Sequence, residues 1–161
     1  MRITPAVVAA ERDRVRERER VVTLLNDTRA ALETQFDTEV DRVTVDRYRA
    51  AVDEVFADGD RAVNVATLAR LLRDLDVSDD YPGFVVDELL GRELAGMVAG
   101  AQPLRLLGEA TFHYADVTTH GGPDDAAGLD DLDAALAAGF QTRLPGWAWR
   151  DSESPFAVDP E

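Results

Sequence analysis

The chain has 161 residues, of which 45% are hydrophobic, with 32 acidic against 17 basic residues. This length and composition predict one globular domain with extensions and a sizeable hydrophobic core. Cysteine is absent, which excludes disulfides, thiolate zinc sites and cysteine nucleophiles. Because no segment reaches the roughly 20 unbroken apolar residues of a membrane span, and the first apolar run is too short for a signal peptide, we expect a cytoplasmic protein without membrane contact.

The charge pattern is the most specific compositional feature. The formal net charge is −15, every basic residue is arginine, and lysine is absent. This composition resembles the proteomes of halophilic archaea, whose acidic surfaces stay hydrated in molar salt. At molar ionic strength the Debye length falls to about 3 Å, so repulsion among the acidic groups is screened. The resemblance implies a halophilic source, in which an acidic surface would not argue against DNA binding.

Residues 1–40 are predicted to form an N-terminal helical arm. Thr4 and Pro5 supply the N-cap and first turn of a helix that we expect to extend to about Phe36 or Val40. Apolar residues recur at multiples of seven in two neighbouring rows, with charged interruptions. The pattern predicts either a seam in a dimer or antiparallel hairpin, or an amphipathic helix packed on its own domain. The rows contain Val8, Val15, Val22, Phe36 and Val43, and Leu25 and Leu32, interrupted by Glu11, Arg18 and Arg29.

The arm also holds the densest cluster of positive charge. Residues 1–20 contain six arginines and four acids, against eleven arginines and twenty-eight acids in the rest of the chain. On one continuous helix these arginines form two adjacent stripes. Such stripes bind phosphates or an acidic partner, although a solvated face with Glu–Arg pairs is the alternative. The candidate nucleic-acid or partner-binding residues are Arg12, Arg14, Arg16, Arg18, Arg20, Arg70 and Arg73.

Residues 41–120 are predicted to form the core of the protein. Their apolar spacing and turn signals indicate the order helix, strand, helix, helix, strand, strand. Gly91 falls inside a helix, where a close helix–helix contact would explain it. The expected elements are a helix from Val45 capped by Thr44, a strand at 61–65, a helix at 66–75, a helix from Asp80 or Pro82 to Gly100, and a β-hairpin at 103–117.

This order of elements resembles the winged helix-turn-helix of archaeal transcription regulators. The resemblance covers roughly residues 45–118 and implies a DNA-reading helix. The helix at that position carries Asp87, Glu88 and Glu93, whereas helices that read base edges usually offer Arg, Lys, Asn or Gln. We therefore expect any DNA contact to be made mainly by the arm and to be largely independent of DNA sequence.

Residues 121–161 are predicted to form an acidic helix followed by an extended strap. The helix LDDLDAALAAGF carries leucines on one face and is expected to end at Gly139. The strap contains Trp147, Trp149 and Phe156. Aromatic side chains on an extended polar segment usually anchor it, and we expect these three to contact either the protein's own core or a partner.

Enzymatic motifs are scarce in this chain. There is no Gly-rich phosphate loop followed by lysine and no serine nucleophile elbow. His113 and His120 match no standard metal-ligand spacing. The acidic turn after Phe56 looks like a calcium loop, but Thr67 or Leu68 stands where a bidentate glutamate is needed. We therefore expect no enzymatic activity, no metal and no cofactor.

These observations predict a mainly α, α+β protein with a long N-terminal helix, a winged-helix-like core, and a short C-terminal helix with a strap. The favoured function is a non-enzymatic, dimeric, DNA-associated or transcription-regulatory protein of a halophile. The alternative is a structural or assembly protein, of the scaffold or virion-connector type, that binds other proteins through its arm and strap. Its partners are thus a second copy of itself and either DNA or another protein.

The acidic composition predicts how the fold responds to salt. We expect the thermal unfolding midpoint to rise between about 0.1 M and about 2 M KCl, because salt screens repulsion among the excess carboxylates. Calorimetry or circular dichroism at the two concentrations measures this. An unchanged or lower midpoint at the higher concentration would contradict the prediction.

Overall fold

The computed structural model describes residues 1–75, 89–102, 104–119 and 127–146. These ranges form seven α-helices and contain no β-strand. No helix within them is long and apolar enough to cross a membrane. The helices are α1 Pro5–Arg16, α2 Glu19–Phe36, α3 Val45–Ala57, α4 Gly59–Asp74, α5 Arg92–Ala99, α6 Leu104–Thr119 and α7 Ala127–Gln141.

Helix α7 is the centre around which the other helices pack. Every residue from 131 to 141 is buried, and α7 contacts α2, α4, α5 and α6. Its sequence is rich in alanine, which lets neighbouring helices approach closely on several sides. The aromatic ring of Phe140 meets that of Tyr48 edge to face, with 5.3 Å between the ring centroids. A helix buried on all sides needs such small and apolar residues around its whole circumference.

Glycines mark the closest contacts among α5, α6 and α7. A Cβ on Gly91 would lie 2.4 Å from the ring of Phe112 in α6, so the close contact expected at Gly91 is confirmed. In the same way, a Cβ on Gly108 would lie 2.7 Å from the Cβ of Ala99. Only hydrogen fits at these two positions, and the three helices therefore pack at short range.

The α+β, winged-helix prediction is wrong, because both predicted strand regions are helical. Residues 61–65, expected to be a strand, lie in α4. On a strand Val63 and Val65 would share one face, but Val65 is fully buried and Val63 is 44% exposed. The buried positions of α4 instead follow helical spacing, namely Ala62, Val65, Ala66, Ala69 and Leu72.

The predicted β-hairpin at 103–117 is also helical and forms most of α6. Gly108, near the middle of the predicted hairpin, lies against α5 in mid-helix. Phe112 and Ala115 are buried, which is the helical spacing i, i+4, i+7 from Gly108. Leu104 and Leu106 alternate in the sequence as residues on one face of a strand would. In the structure both lie on the helix and are exposed.

The arm consists of two helices instead of one. Arg18 has non-helical backbone angles, with φ −79° and ψ 82°, and α2 begins at the next residue. The break lets α1 pack against α3 and α4 while α2 packs against α6 and α7. Val15, Val22 and Leu25 are buried in the chain's own core. Of the two alternatives for the heptad rows, packing within the domain is therefore the one observed at these three positions.

Several predicted helix ends are confirmed. The Thr4 side chain accepts a hydrogen bond from the Val7 amide and Thr44 accepts one from the Arg47 amide, each at 3.3 Å. Gly100 follows α5 with a positive φ of 117°, a conformation that favours glycine. The predicted end at Gly139 is two residues early, because α7 continues to Gln141. The start expected at Asp80 or Pro82 lies outside the described residues.

The close packing of α5 against α7 generates a prediction about Gly139. A Cβ there would lie 2.5 Å from the Cβ of Val98 and 2.8 Å from the carbonyl oxygen of Ala95. We expect Gly139→Ala to lower the free energy of unfolding by about 1–3 kcal/mol, the usual cost of overpacking.

Gly59→Ala is the matched control, because a Cβ at that position meets nothing within 4 Å. The control should leave stability unchanged or raise it by up to about 1 kcal/mol. Urea denaturation of both variants measures the difference, and equal midpoints would contradict the packing described for α5 and α7.

Candidate functional site

Buried Glu11 organises the arginines at the end of α1. Its side chain is completely inaccessible to solvent. The carboxylate accepts hydrogen bonds from Arg14, at 2.7 Å, and from both terminal nitrogens of Arg73 in α4. These bonds raise the pKa of Arg73 above its ordinary value. Glu11 thus joins α1 to α4 and holds two of the candidate arginines in place.

Asp133 plays the same part for the arginines at the start of α2. It lies in the central helix α7 and is fully buried. The Arg18 Nε donates to its Oδ1 at 2.5 Å, and the Arg20 Nε lies 3.8 Å from its Oδ2. A buried carboxylate needs such cationic partners, because an isolated charge in the interior is strongly unfavourable.

The remaining candidate arginines pair with carboxylates nearer the surface. Arg16 lies 2.9 Å from Asp53 of α3, and Arg70 lies 3.3 Å from Asp74. Arg12 donates to Asp13, which raises the pKa of Arg12 above its ordinary value. On a continuous helix Arg12, Arg16 and Arg20 would form one stripe. This stripe is not formed, because Arg20 belongs to α2 whereas Arg12 and Arg16 belong to α1.

Three of the seven candidates nevertheless meet in one recess. Arg14, Arg18 and Arg73 line a cavity of about 190 Å³ beneath the junction of α1 and α2. Glu11 and Glu17 line it as well. Positive and negative groups are therefore mixed in this cavity, and it lacks the purely cationic surface that phosphate binding favours.

Arg29 is a buried arginine that the sequence did not suggest as a functional residue. It is completely buried in α2 and donates to Gln141 Oε1, at 2.6 Å, and to the carbonyls of Asp41 and Pro145, at 2.5 and 2.8 Å. Burial lowers its pKa to about 10. It fixes the segment after α7 to the connection between α2 and α3.

A signal for these buried charges was present in the sequence. Glu11, Arg18 and Arg29 are the residues that interrupt the heptad rows of the arm. A charged residue at a position otherwise occupied by valine or leucine points into the core, and there it requires a partner. The sequence could not show that Asp133 and Gln141, more than a hundred positions away, would be those partners.

The second prominent feature is the outer side of α6. Its exposed residues from 104 to 116 include no Asp, Glu, Lys or Arg. Among the described side chains, every other helix with exposed residues presents at least one charged residue there. We call this surface the α6 face, and it consists of Leu104, Leu106, Leu107, Ala110, His113 and Tyr114.

A shallower groove lies at the start of α1. It has a volume of about 450 Å³ and is lined by Val8 of α1, Phe56 of α3 and Val63 of α4, among others. The groove is largely apolar. It is a further described surface that offers apolar side chains to a partner.

Other predicted site residues are not brought together. The strap anchors Trp147, Trp149 and Phe156 lie outside the described residues, as does His120. His113 is exposed on α6, and Asp58 of the calcium-like turn accepts a hydrogen bond from the Arg61 amide as the N-cap of α4. No group of three or more metal-ligating side chains occurs in the described part of the chain.

The fold is therefore that of an all-helical domain in which helices surround a buried central helix. The chain belongs to a family described as a domain of unknown function, DUF7984, whose model matches residues 1–160. No curated protein and no solved structure matches the chain.

The buried carboxylate of Glu11 generates a stability prediction. We expect Glu11→Gln to lower the free energy of unfolding by about 3 kcal/mol, the lower end of the range for a buried pair that loses one partner. The lower end applies because Arg14 and Arg73 retain some contact with water.

Asp74→Asn serves as the control, since Asp74 pairs with Arg70 and Arg73 at an exposed position. Its effect should stay below about 1 kcal/mol. Denaturant titration of the two variants compares them, and a similar loss in both would mean that Glu11 does not hold α1 on α4.

Proposed function

We propose that this protein is a non-enzymatic assembly module that binds another protein through the α6 face. The observation that carries the proposal is a set of apolar side chains exposed along one helix. Leu106 is 60% exposed, Leu107 45%, Leu104 39% and Tyr114 37%. Large apolar groups that remain in water together are typical of interaction surfaces, because covering them is favourable.

The absence of charge on the α6 face supports the same proposal. In the central part of protein–protein interfaces charged residues are depleted and aromatic residues are enriched. The charged groups nearest in sequence are either paired with one another or buried. Arg105 bonds Glu93 at 2.6 Å and Glu109 at 2.9 Å, and Asp116 is buried. The α6 face is thus exposed and apolar, and the charged residues beside it are neutralised by ion pairs or buried.

DNA association, the favoured prediction from the sequence, has less support. Each of the seven candidate arginines lies within 4 Å of a carboxylate of the same chain. A phosphate would have to displace these carboxylates before it could be bound. With a net charge of −15, the whole molecule also repels nucleic acid at moderate ionic strength.

A halophilic and cytoplasmic setting is consistent with docking through an apolar face. The lysine-free acidic composition supports a halophilic setting, and the lack of cysteine supports a cytoplasmic one. In molar salt, ionic contacts between exposed groups are screened, whereas apolar contacts are retained. An assembly protein in such a medium would therefore rely on apolar surface.

The proposal predicts that Leu107→Glu abolishes partner binding. The substitution places a charge in the middle of the α6 face, where it would be buried without a partner on docking. Tagged wild-type and variant proteins are used to capture partners from a high-salt lysate of the source cells, and both protein and nucleic acid are scored.

Val63→Glu is the matched control, because Val63 is 44% exposed against 45% for Leu107 and lines the groove beside α1. A protein held by the wild type and by Val63→Glu but lost with Leu107→Glu supports the proposal. If the Val63 variant alone loses it, the groove is the docking site. Capture of nucleic acid by all three proteins would favour the DNA-associated function.

A further inference from the structure

We infer that the partner of the α6 face is a second copy of this chain, whose α6 crosses the first in antiparallel orientation at Ala110. This inference rests on the proposed function, since it names the protein that docks there. The sequence had suggested a dimer seam along the arm. Burial of Val15, Val22 and Leu25 inside the domain removes that seam and leaves α6 as the helix with unburied apolar side chains at helical spacing.

The arrangement of exposed residues on α6 is symmetric about Ala110. Leu106 and Leu107 lie four and three residues before it, and His113 and Tyr114 lie three and four residues after it, all exposed. Residues at i±3 and i±4 occupy one face of a helix. A twofold axis that passes between the two copies of Ala110 would therefore bring Leu106 of each copy against Tyr114 of the other, and Leu107 against His113. An isologous interface requires this self-complementarity.

The small side chain at the centre permits the crossing. Helices approach to about 8 Å when small residues lie at the contact, and Ala110 is the smallest residue of the α6 face. The larger side chains stand on both sides of it. They would pack around the crossing point as two identical clusters, each formed by Leu106 and Leu107 of one copy and His113 and Tyr114 of the other.

Charge also favours a second copy over a basic partner. Each copy carries a net charge of −15, so two copies repel one another wherever their acidic surfaces meet. The exposed residues of α6 include no carboxylate among the described side chains. This is the face through which a like-charged molecule can approach. A basic partner would instead be attracted to acidic residues exposed on other helices. Examples are Asp46, Asp53 and Glu54 of α3.

The extent of the face indicates the strength of the dimer. From Leu104 to Tyr114 the helix advances about 15 Å, which is short for an interface of the standard size of about 800 Å² per partner. We therefore expect a dimer that dissociates on dilution, with a Kd on the order of micromolar or weaker. Its formation should increase with salt, because salt screens repulsion between the two acidic copies.

Cysteine cross-linking tests the geometry directly, because the chain contains no cysteine. In the variant A110C the two introduced thiols would lie beside the twofold axis, within reach of a disulfide. Under mild oxidation at high salt we expect rapid formation of a covalent species of twice the 17.6 kDa monomer mass. The control is A50C, an exposed alanine of α3, which should cross-link only at the slow rate of random collision.

Sedimentation of the wild type over a range of concentrations provides the second measurement. We expect a monomer–dimer equilibrium that Leu107→Glu weakens by roughly a hundredfold, because the interface would have to desolvate one introduced carboxylate in each copy, whereas Val63→Glu leaves it unchanged. Circular dichroism confirms that each variant is folded. A wild type that remains monomeric at its highest soluble concentration, or an A110C rate no faster than that of A50C, would overturn the inference.

The two proposals fail separately. If the wild type is monomeric but Leu107→Glu still loses a captured protein of different sequence, docking through the α6 face stands and the second copy is excluded. If Leu107→Glu changes neither self-association nor capture, both the proposed function and this inference are overturned.

Discussion

The burial of α7 on all sides is the constraint on which the rest of the structure depends. Contact with α2, α4, α5 and α6 keeps every side chain of α7 from 131 to 141 out of water. Alanines and Gly139 allow close approach of its neighbours. Asp133 and Gln141 introduce polar atoms into the interior, and these require partners from other helices. Arg18 and Arg29 supply them, and so the central helix determines where the arginines of α2 lie.

The pairing of arginines with carboxylates within the domain changes what the composition implies about ligand binding. A cluster that seems available for phosphate in the sequence is largely occupied by Glu11, Asp53 and Asp133 in the folded protein. Glu11 and Asp133 are fully buried and depend on these arginines, because a buried charge without a partner is strongly unfavourable. The exposed surface then carries the unbalanced carboxylates. From that distribution of charge we expect the fold to depend on salt and any docking to use apolar surface.

Helix α6 shows how apolar residues of one helix are divided between the core and the exposed surface. Gly108, Phe112 and Ala115 face α5 and the interior, while Leu106, Leu107 and Tyr114 remain exposed on the other side. A helix that is apolar around its circumference is ordinarily buried on all sides, as α7 is. On α6, by contrast, the apolar side chains of the outer side are not covered by a neighbouring helix. We propose that α6 of a second copy covers these side chains.

The sequence by itself determined the local features of this protein, namely helix caps at Thr4 and Thr44, the end of α5 at Gly100, and the close contact at Gly91. The caps and the helix end depend on residues a few positions apart, whose preferences are expressed in any fold. Gly91 indicated a close contact, but not that Phe112 would make it. Only the tertiary structure decided that residues 61–65 and 103–117 are helical, since short apolar runs are ambiguous until their burial is known. It also decided the break at Arg18 and the pairing of Arg18 with Asp133. Those outcomes depend on contacts between residues far apart in the chain, which no local pattern encodes.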